Sequence, residues 1–305
     1  MLNDRANNRA LCVWDATIDT VGRITAPDDL LVRRGYGNAA SLAAALEQQP
    51  PTIYFLDGTT TVGAVRYDSR ASTSVFDPRL MTPIDWTGVD ITAETSRTAQ
   101  NRGTGKASVH DRLAEHLRRL PRRGNHRWIL HNDGAGEIAD YLVVEEMPSG
   151  EVRLTLWHAK ASREPTPGVR IKDVQEVAAQ ALRSRRWFPS TTLWSELGAR
   201  LTGKASPRAT LVDGSDDEGM LRRRLDLTED QDDEEGAEPP PWTRRYPVIR
   251  GSIGIVQPGL SAREFNAQLR LEVVPAGAQS LRELFSVLSD TALSDGADLV
   301  LLVSP

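Results

Sequence analysis

The 305-residue chain has little cysteine, little lysine and no long apolar run, and each shortage narrows the class of protein. Cys12 is its single cysteine, which excludes an intramolecular disulfide and a zinc site built from several cysteines. No apolar run approaches the roughly 20 residues that a membrane-spanning helix needs. Residues 1–9 lack the apolar core of a secretion signal. We therefore expect a globular, cytoplasmic protein that makes no contact with membranes.

Positive charge is carried almost entirely by arginine, with 33 arginines and four lysines. The net charge of −5 conceals two regions of opposite sign. Residues 97–127 hold nine basic residues and two acids, whereas residues 213–238 hold twelve acids and three arginines. An arginine-dense block is typical of a surface that binds a polyanion, although a solvated helix face has the same composition. We expect six arginines of the block to contact DNA: Arg112, Arg118, Arg119, Arg122, Arg123 and Arg127.

Composition and hydrophobic periodicity divide the chain into four parts. Short apolar runs separated by turn residues predict a β-rich region over 1–95. The most regular patterns lie in 96–212. Residues 213–242, which are acidic and contain three consecutive prolines, predict a linker or a mobile insertion. Residues 243–305 predict an α/β extension that either continues the same sheet or forms a small subdomain.

From residue 108 onward, the hydrophobic pattern can be divided into individual helices and strands. Apolar residues recur at helical spacing after Ser108, which is a good helix N-cap, and Pro121 ends that pattern. Alternating or continuous apolar runs bounded by glycine and proline predict strands. The predicted elements are a helix at 109–120, strands at 127–132, 138–145 and 152–160, a helix at 171–185, a strand at 251–257, a helix at 281–291 and a strand at 298–303.

Two nucleotide-binding motifs are present only in part. Residues 103–108 resemble the end of a phosphate-binding loop, but Gln100 replaces its first glycine and Ala107 replaces its serine or threonine. Residues 134–136 resemble part of a dinucleotide fingerprint, but a strand-like run follows where a helix is needed. We therefore expect no ATP binding by this chain. The five histidines show no tight metal-ligand spacing, so the sequence also predicts no zinc site.

One pair of residues has a catalytic interpretation. Asp140 lies in an apolar run, where a carboxylate is costly to bury unless a cation or a basic partner compensates it. Lys160 ends the next predicted strand, two residues after His158. On adjacent antiparallel strands the start of one lies opposite the end of the other, so Asp140 and Lys160 are expected at the same edge of the sheet. Such a pair suits phosphodiester hydrolysis, in which the acid holds Mg²⁺ and the lysine orients water or neutralises charge. The alternatives are an acid paired with an arginine and an ordinary surface lysine.

The order helix-strand-strand-strand-helix, with these two residues, resembles the PD-(D/E)xK restriction-endonuclease-like nucleases. Ala139-Asp140 stands where the family has Pro-Asp, and His158-Ala159-Lys160 stands where it has acid-x-Lys. The run 134–140 is similar to the glycine-rich run of Mrr-type restriction endonucleases. Three segments look like the C-terminal nuclease-like module of helicase-linked restriction and anti-phage proteins: 85–91, 133–140 with 158–162, and 256–261.

The resemblance implies an α/β fold with a restriction-endonuclease-like core, α-β-β-β-α-β, in which helices flank a mixed sheet. It implies a DNA endonuclease that requires Mg²⁺, for which Mn²⁺ can substitute, in bacterial restriction or anti-phage defence. A helicase or other ATPase would be its partner, and a homodimer would cut both strands. The implied catalytic residues are Asp140, His158, Lys160, Glu137 and Gln180, and the implied metal ligands are Asp140, Glu137, Glu115 and His158.

Several of these residues have a second interpretation. His158 replaces the acid of the family and is a poorer ligand for Mg²⁺ than a carboxylate. Glu115 is equally compatible with a surface ion pair to Arg112 or Arg119, and Gln180 with an ordinary polar helix surface. A weakened nuclease fold that binds DNA or docks a helicase is therefore the alternative function. A third hypothesis is that the acidic segment mimics DNA or masks the basic block.

Overall fold

The computed structural model describes most of the chain after residue 75 and short pieces before it. The described residues are 2–4, 9–11, 17–18, 24–25, 30–33, 39–48, 52–54, 60–62, 65–67, 76–188, 190, 192–227, 241–245 and 247–305. Residues 1–72 and 73–305 form two separate compact units. The division falls earlier than the predicted boundary at residue 95, because the strand Met81–Pro83 pairs with the C-terminal strand Ala297–Ser304.

The N-terminal unit consists, in its described part, of short antiparallel strand pairs and one helix, Leu42–Gln48. The pairs are Leu2–Asp4 with Arg9–Leu11, Thr17–Ile18 with Ile24–Thr25, and Leu31–Arg33 with Ala39–Ser41. A further sheet joins Thr52–Tyr54, Thr60–Val62 and Val65–Tyr67. The prediction of a β-rich region agrees with these described residues.

A mixed seven-stranded sheet forms the centre of the second unit. Its strands are β1 (Met81–Pro83), β2 (His126–His131), β3 (Tyr141–Glu146), β4 (Val152–Ala159), β5 (Thr210–Asp213), β6 (Ile249–Ser261) and β7 (Ala297–Ser304). The spatial order is β1-β7-β6-β4-β3-β2-β5. Strands β4, β3, β2 and β5 pair antiparallel, whereas β4, β6, β7 and β1 pair parallel. Residues 243–305 thus continue the central sheet.

Helices cover both faces of this sheet. Their bounds are α1 (Ser96–Arg102), α2 (Val109–Arg119), α3 (Ile171–Ser184), α4 (Leu193–Leu201), α5 (Glu218–Arg224), α6 (Trp242–Arg245), α7 (Ala262–Leu269) and α8 (Ala276–Ser294). The apolar stripe of α2 packs on one face with Tyr141 and Trp157, and the stripes of α3 and α8 pack on the other. The predicted mixed sheet flanked by helices is confirmed. Within the described residues, no helix is long and apolar enough to cross a bilayer.

Local chemistry explains why the predicted helix after Ser108 forms. The Ser108 hydroxyl accepts from the backbone N–H of Asp111, and the Asp111 carboxylate accepts from the backbone N–H of Ser108. This reciprocal capping box satisfies two amides of the first turn. Val109, Leu113 and Leu117 are fully buried along one stripe. The same stripe positions the N-terminus of α2 close to the start of β3, since Tyr141 Oη donates to the carbonyl of His110 at 3.2 Å.

Two predicted boundaries differ from the structure. Strand β3 begins at Tyr141 rather than at Ile138, because the backbone N–H of Ile138 donates to the Asn132 side chain at 3.0 Å and holds 138–140 in a loop. The predicted linker 213–242 begins as part of the fold: Asp213 ends β5, and Leu221 on α5 is fully buried. Composition misled here because the acids Asp216, Asp217 and Glu218, just before and at the start of α5, outweigh its few apolar residues in a count of charge. Residues 228–240 lie outside the described part.

Candidate active site

A cleft of about 560 Å³ opens at one end of the sheet, where β3 begins and β4 ends. Four parts of the chain build it: the segment before α1, the loop between β2 and β3, the end of β4, and α3 with the residues that follow it. Its lining residues are Glu94, Asp133, Gly134, Ala135, Gly136, Glu137, Asp140, His158, Lys160, Gln180, Arg183, Ser184, Arg186 and Trp187. The five residues implied to be catalytic therefore line one cleft, whereas the adjacency of β3 and β4 predicted only the meeting of Asp140 and Lys160.

Asp140 is the buried carboxylate of the cleft, with 3% of its surface exposed. Its Oδ2 accepts a hydrogen bond from the backbone N–H of Ala159 at 2.7 Å, which ties the start of β3 to the end of β4. Burial raises the pKa of Asp140 to about 8 despite this bond. The charges of nearby carboxylates raise it further: Glu137, Asp133 and Glu94. A cation beside Asp140 would offset both effects and restore its ionised form.

Lys160 follows β4 and is held by two carboxylates. Its Nζ lies 3.0 Å from Oε1 of Glu94 and 3.3 Å from Oε1 of Glu176 on α3. Burial by itself lowers the pKa of Lys160, but the hydrogen bond and charge of Glu94, together with Glu176, outweigh it and raise the pKa above its usual value. The lysine is therefore a fixed positive charge at the rim of the cleft.

Sequence reasoning missed Glu94. It lies just before α1, 66 residues from the lysine that it contacts. Its Oε2 accepts from the backbone N–H of Ala161 at 3.5 Å, and its carbonyl accepts from the backbone N–H of His110 at 3.0 Å. These contacts hold the carboxylate against the end of β4. The one local feature that could have drawn attention to Glu94 is its position, three residues after the segment 85–91.

His158 is almost fully buried at 1% exposure. Both of its ring nitrogens are buried and have no hydrogen-bond partner among the described residues. Burial, and then the charge of Arg183, lower the pKa of His158 to about 3. The ring is thus neutral near pH 7 and offers a lone pair where the resembled family has an acid.

Two buried polar residues hold the loop between β2 and β3 in position. Asn132 Oδ1 accepts from the backbone N–H of Ile138 at 3.0 Å and from Arg200 at 3.2 Å. Arg200 also donates to the carbonyl of Gly136 at 3.0 Å. Gly136 has a φ of +84°, which other residues adopt only with strain. The loop therefore presents Glu137 to the cleft from a fixed backbone.

Gln180 and Glu137 contribute polar atoms to opposite walls of the cleft. Gln180 lies on α3, and its Oε1 is buried without a hydrogen-bond partner in the described part of the chain. Glu137 is half-buried on the loop. One buried acceptor and one carboxylate thus face the space beside Asp140.

Glu115 lies outside the cleft, although the resemblance implied a metal ligand there. It accepts from Arg112 at 2.8 Å and from Arg119 at 2.5 Å on the outer surface of α2. Of its two interpretations, the surface ion pair is the one that the geometry favours. Of these two glutamates, Glu94 is the one that lines the cleft, where it pairs with Lys160.

The arginine block also departs from the expectation. Arg127 is 3% exposed and donates to the carbonyls of Leu120 and Arg118 and to Asp213, so it is unavailable to DNA without local unfolding. It lies near the opposite end of β2 from the cleft, about 17–20 Å away for a strand of this length. Arg118, Arg122 and Arg123 are exposed at that far end. The arginines that line the cleft are Arg183 and Arg186, which sequence reasoning did not select.

A second group of ligand-type side chains adjoins the cleft on the α2 face of the sheet. One ligand atom each from His110, His131 and Asp133 lies within 4.8 Å of the others. Among the described residues, no other group of three or more histidine, cysteine or carboxylate ligands meets this distance. The cleft carboxylates therefore do not form a preformed three-ligand cluster.

The donor set of the cleft nevertheless suits Mg²⁺ or Mn²⁺. Mg²⁺ is commonly held by one or two carboxylates, with water and substrate phosphate completing its shell. Asp140 and Glu137 supply carboxylate oxygens of this kind, and Asp140 is buried in a field that a cation would relieve. His158 adds a neutral nitrogen, which is a weaker ligand for this hard cation.

No protein-family model, no curated protein and no solved structure matches the chain. The function is therefore argued from the cleft itself.

Proposed function

We propose that this protein is a metal-dependent DNA endonuclease whose active site is the cleft around Asp140 and Lys160. The observation that carries the proposal is the placement of a buried carboxylate and a fixed lysine on adjacent strands, joined through the Ala159 amide. The succession α2-β2-β3-β4-α3, followed after an insertion by β6 parallel to β4, supports a restriction-endonuclease-like core.

Asp140 and Glu137 would hold the cation, which is Mg²⁺ in this proposal, with Mn²⁺ as its substitute. A cation bound there lowers the pKa of a water molecule and polarises the phosphate. Lys160 stays protonated and neutralises charge that develops on the phosphate. Glu94 sets the position of the ammonium group through the 3.0 Å contact.

Arg183 and Arg186 would contact the phosphate backbone because both are exposed and line the cleft. Contacts of this kind carry no sequence information and weaken as salt is raised. Only a DNA that extends past α2 would contact Arg118, Arg122 and Arg123. We also propose a role in restriction or anti-phage defence. Any ATP-driven translocation in that role would need a helicase or ATPase partner, because the phosphate-binding loop of this chain is incomplete.

The test is cleavage of plasmid and linear DNA with Mg²⁺ and with Mn²⁺ by the wild type, Asp140→Asn and Lys160→Ala. We expect both variants to lose at least about 100-fold in cleavage rate, the usual scale for removing a catalytic proton-transfer or electrostatic group. Glu115→Gln is the matched control, since this acid lies outside the cleft, and its rate should equal that of the wild type. Equal rates for the wild type and Asp140→Asn would refute the proposal.

The alternative function is a DNA-binding or helicase-docking module with a weakened site. The neutral, unpaired His158 in place of an acid favours it, and so does the neutralisation of Lys160 by two carboxylates. In that case the wild type binds DNA without cutting it, and Arg183→Ala with Arg186→Ala weakens binding while Asp140→Asn does not.

A further inference from the structure

We propose that His110, His131 and Asp133 form a binding site for a divalent transition metal of the Zn²⁺ class, separate from the carboxylate cleft. The sequence concealed it because His110 begins a helix and His131 ends a strand, 21 residues apart. Folding brings one ligand atom of each of the three residues within 4.8 Å of the others.

The two imidazoles are prepared for a ligand. His110 is 3% exposed, and the Nε2 atoms of His110 and His131 are buried without a hydrogen-bond partner among the described residues. An unpaired buried nitrogen destabilises a folded protein, and a bound metal would remove that destabilisation.

The surroundings of the cluster resemble the outer shell of known metal sites. The His110 ring donates to the backbone carbonyl of Ala159, and such bonds orient metal-binding histidines. The Tyr141 ring lies 5.8 Å from the His110 ring and 4.7 Å from the His131 ring, and it limits the rotation of both. Ligand atoms around a tetrahedral Zn²⁺ lie about 3.3 Å apart when the bonds are about 2.0–2.1 Å. Asp133 is exposed at the start of the loop, so its side chain can move from the present separation of up to 4.8 Å to that distance.

The ligand set selects the metal. Two nitrogens and one carboxylate suit Zn²⁺ and its transition-metal neighbours, whereas Mg²⁺ prefers oxygen alone. Asp133 also lines the cleft, so a metal here would lie at its wall and fasten the loop that carries Glu137. This second site does not depend on the proposed function, because it uses none of the residues assigned to Mg²⁺ or to catalysis.

The experiment titrates chelator-treated full-length protein with Co²⁺, followed by its visible absorption, and then displaces Co²⁺ with Zn²⁺. We expect one tight site per chain. His131→Gln should weaken binding by at least about 100-fold, more than the loss of an outer-shell partner. Asp133→Asn should weaken it by about 10-fold. His116→Gln is the matched control on the same helix, because His116 lies outside the cluster and faces a different surface pocket.

The outcomes separate this site from the cleft. Retained Co²⁺ binding in Asp140→Asn, with loss in His131→Gln, supports the second site even if the protein cuts no DNA. No stoichiometric binding by the wild type overturns the proposal, as does wild-type affinity in both His131→Gln and Asp133→Asn. Loss of binding in Asp140→Asn alone assigns the metal to the cleft instead. Asp133 is an exposed loop residue, so its variant keeps the test valid should His131→Gln fail to fold.

Discussion

Strand β3 has a buried carboxyl group at each end, and the two differ in their hydrogen-bond and charge partners. At the C-terminal end Glu146 is 6% exposed, and both of its oxygens accept from Nε of Arg224, at 3.0 and 3.1 Å. At the N-terminal end Asp140 is 3% exposed and accepts from one backbone amide, with further carboxylates as neighbours. One end pairs its charge internally, whereas the other holds a carboxyl group that stays protonated near neutral pH unless a cation binds beside it.

The basic residues repeat this contrast. Arg127, near the end of the sheet that carries Glu146, is buried and bonded to two carbonyls and to Asp213. Lys160, at the cleft, is partly exposed and held only at its tip by Glu94 and Glu176. Buried charges that are fully paired serve the fold, whereas charges aimed into a cleft are typical of functional sites. The two ends of the sheet therefore predict opposite responses to mutation.

The largest effect is expected at the paired end. Arg224→Ala leaves Glu146 buried without its arginine, so the free energy of unfolding should fall by about 3–5 kcal/mol in a urea titration. Arg222→Ala is the control on the same helix. Arg222 pairs with Glu218 at the surface, 40% and 39% exposed, and its loss should cost under about 1 kcal/mol. Equal losses for the two variants would contradict the distinction.

The opposite sign is expected at the cleft. The folded pKa of Asp140, about 8, lies above its usual 3.8, so the folded protein holds a proton that the unfolded chain releases. Stability from this group is complete below about pH 4 and is lost as the pH rises towards 8. In chelator-containing buffer at pH 8, the free energy of unfolding of Asp140→Asn should exceed that of the wild type by at least about 1.4 kcal/mol, the equivalent of one pKa unit.

The matching control for that measurement is Glu115→Gln, which lies outside the cleft and should change the free energy of unfolding by under about 1 kcal/mol at every pH. The difference in unfolding free energy between Asp140→Asn and the wild type should shrink towards zero as the pH falls below 3.8, where Asp140 becomes protonated in both the folded and the unfolded state. A difference that stays constant with pH would mean that packing, and not ionisation, accounts for it.

A smaller gain is expected at His158. Both of its nitrogens are buried without partners among the described residues, so His158→Leu removes an unsatisfied group and should raise the free energy of unfolding by about 1 kcal/mol. Chemical denaturation without metal measures it. A loss of more than about 2 kcal/mol would indicate that the ring is held by contacts of its own.

The smallest effect is expected where charge is exposed on both sides. Glu115→Gln breaks the pairs to Arg112 and Arg119 on α2 and should cost under about 1 kcal/mol, a cost that decreases in high salt. Thermal unfolding at low and high ionic strength measures it. A salt-independent loss would place Glu115 with the buried pairs of the first prediction.

Much of the fold could be predicted from local pattern. The Ser108 cap and the stripe through Val109 produced the bounds of α2 to within one residue, since a capping box and helical spacing act over a few residues. The pairing of Asp140 with the end of β4 followed from antiparallel adjacency across a short turn. The acidic stretch was harder to interpret, because Leu221 and Arg224 find their partners in distant parts of the chain.

The site could be predicted only in part for the same reason. Glu94 reaches Lys160 from 66 residues away, and Asp213 reaches Arg127 from 86 residues away. Neither pairing leaves a signal in spacing. Arg127 was assigned to DNA because sequence reveals its charge but not its burial.

The sequence by itself located three helices (α2, α3 and α8), five strands of the central sheet (β2, β3, β4, β6 and β7) and the short-range meeting of Asp140 with the end of β4. Caps, periodicity and tight turns act within about 20 residues of chain. Only the tertiary structure decided which charges are paired internally and which face the cleft. The physical reason is that burial and electrostatic pairing depend on neighbours brought together by the whole sheet, as His110, His131 and Asp133 are.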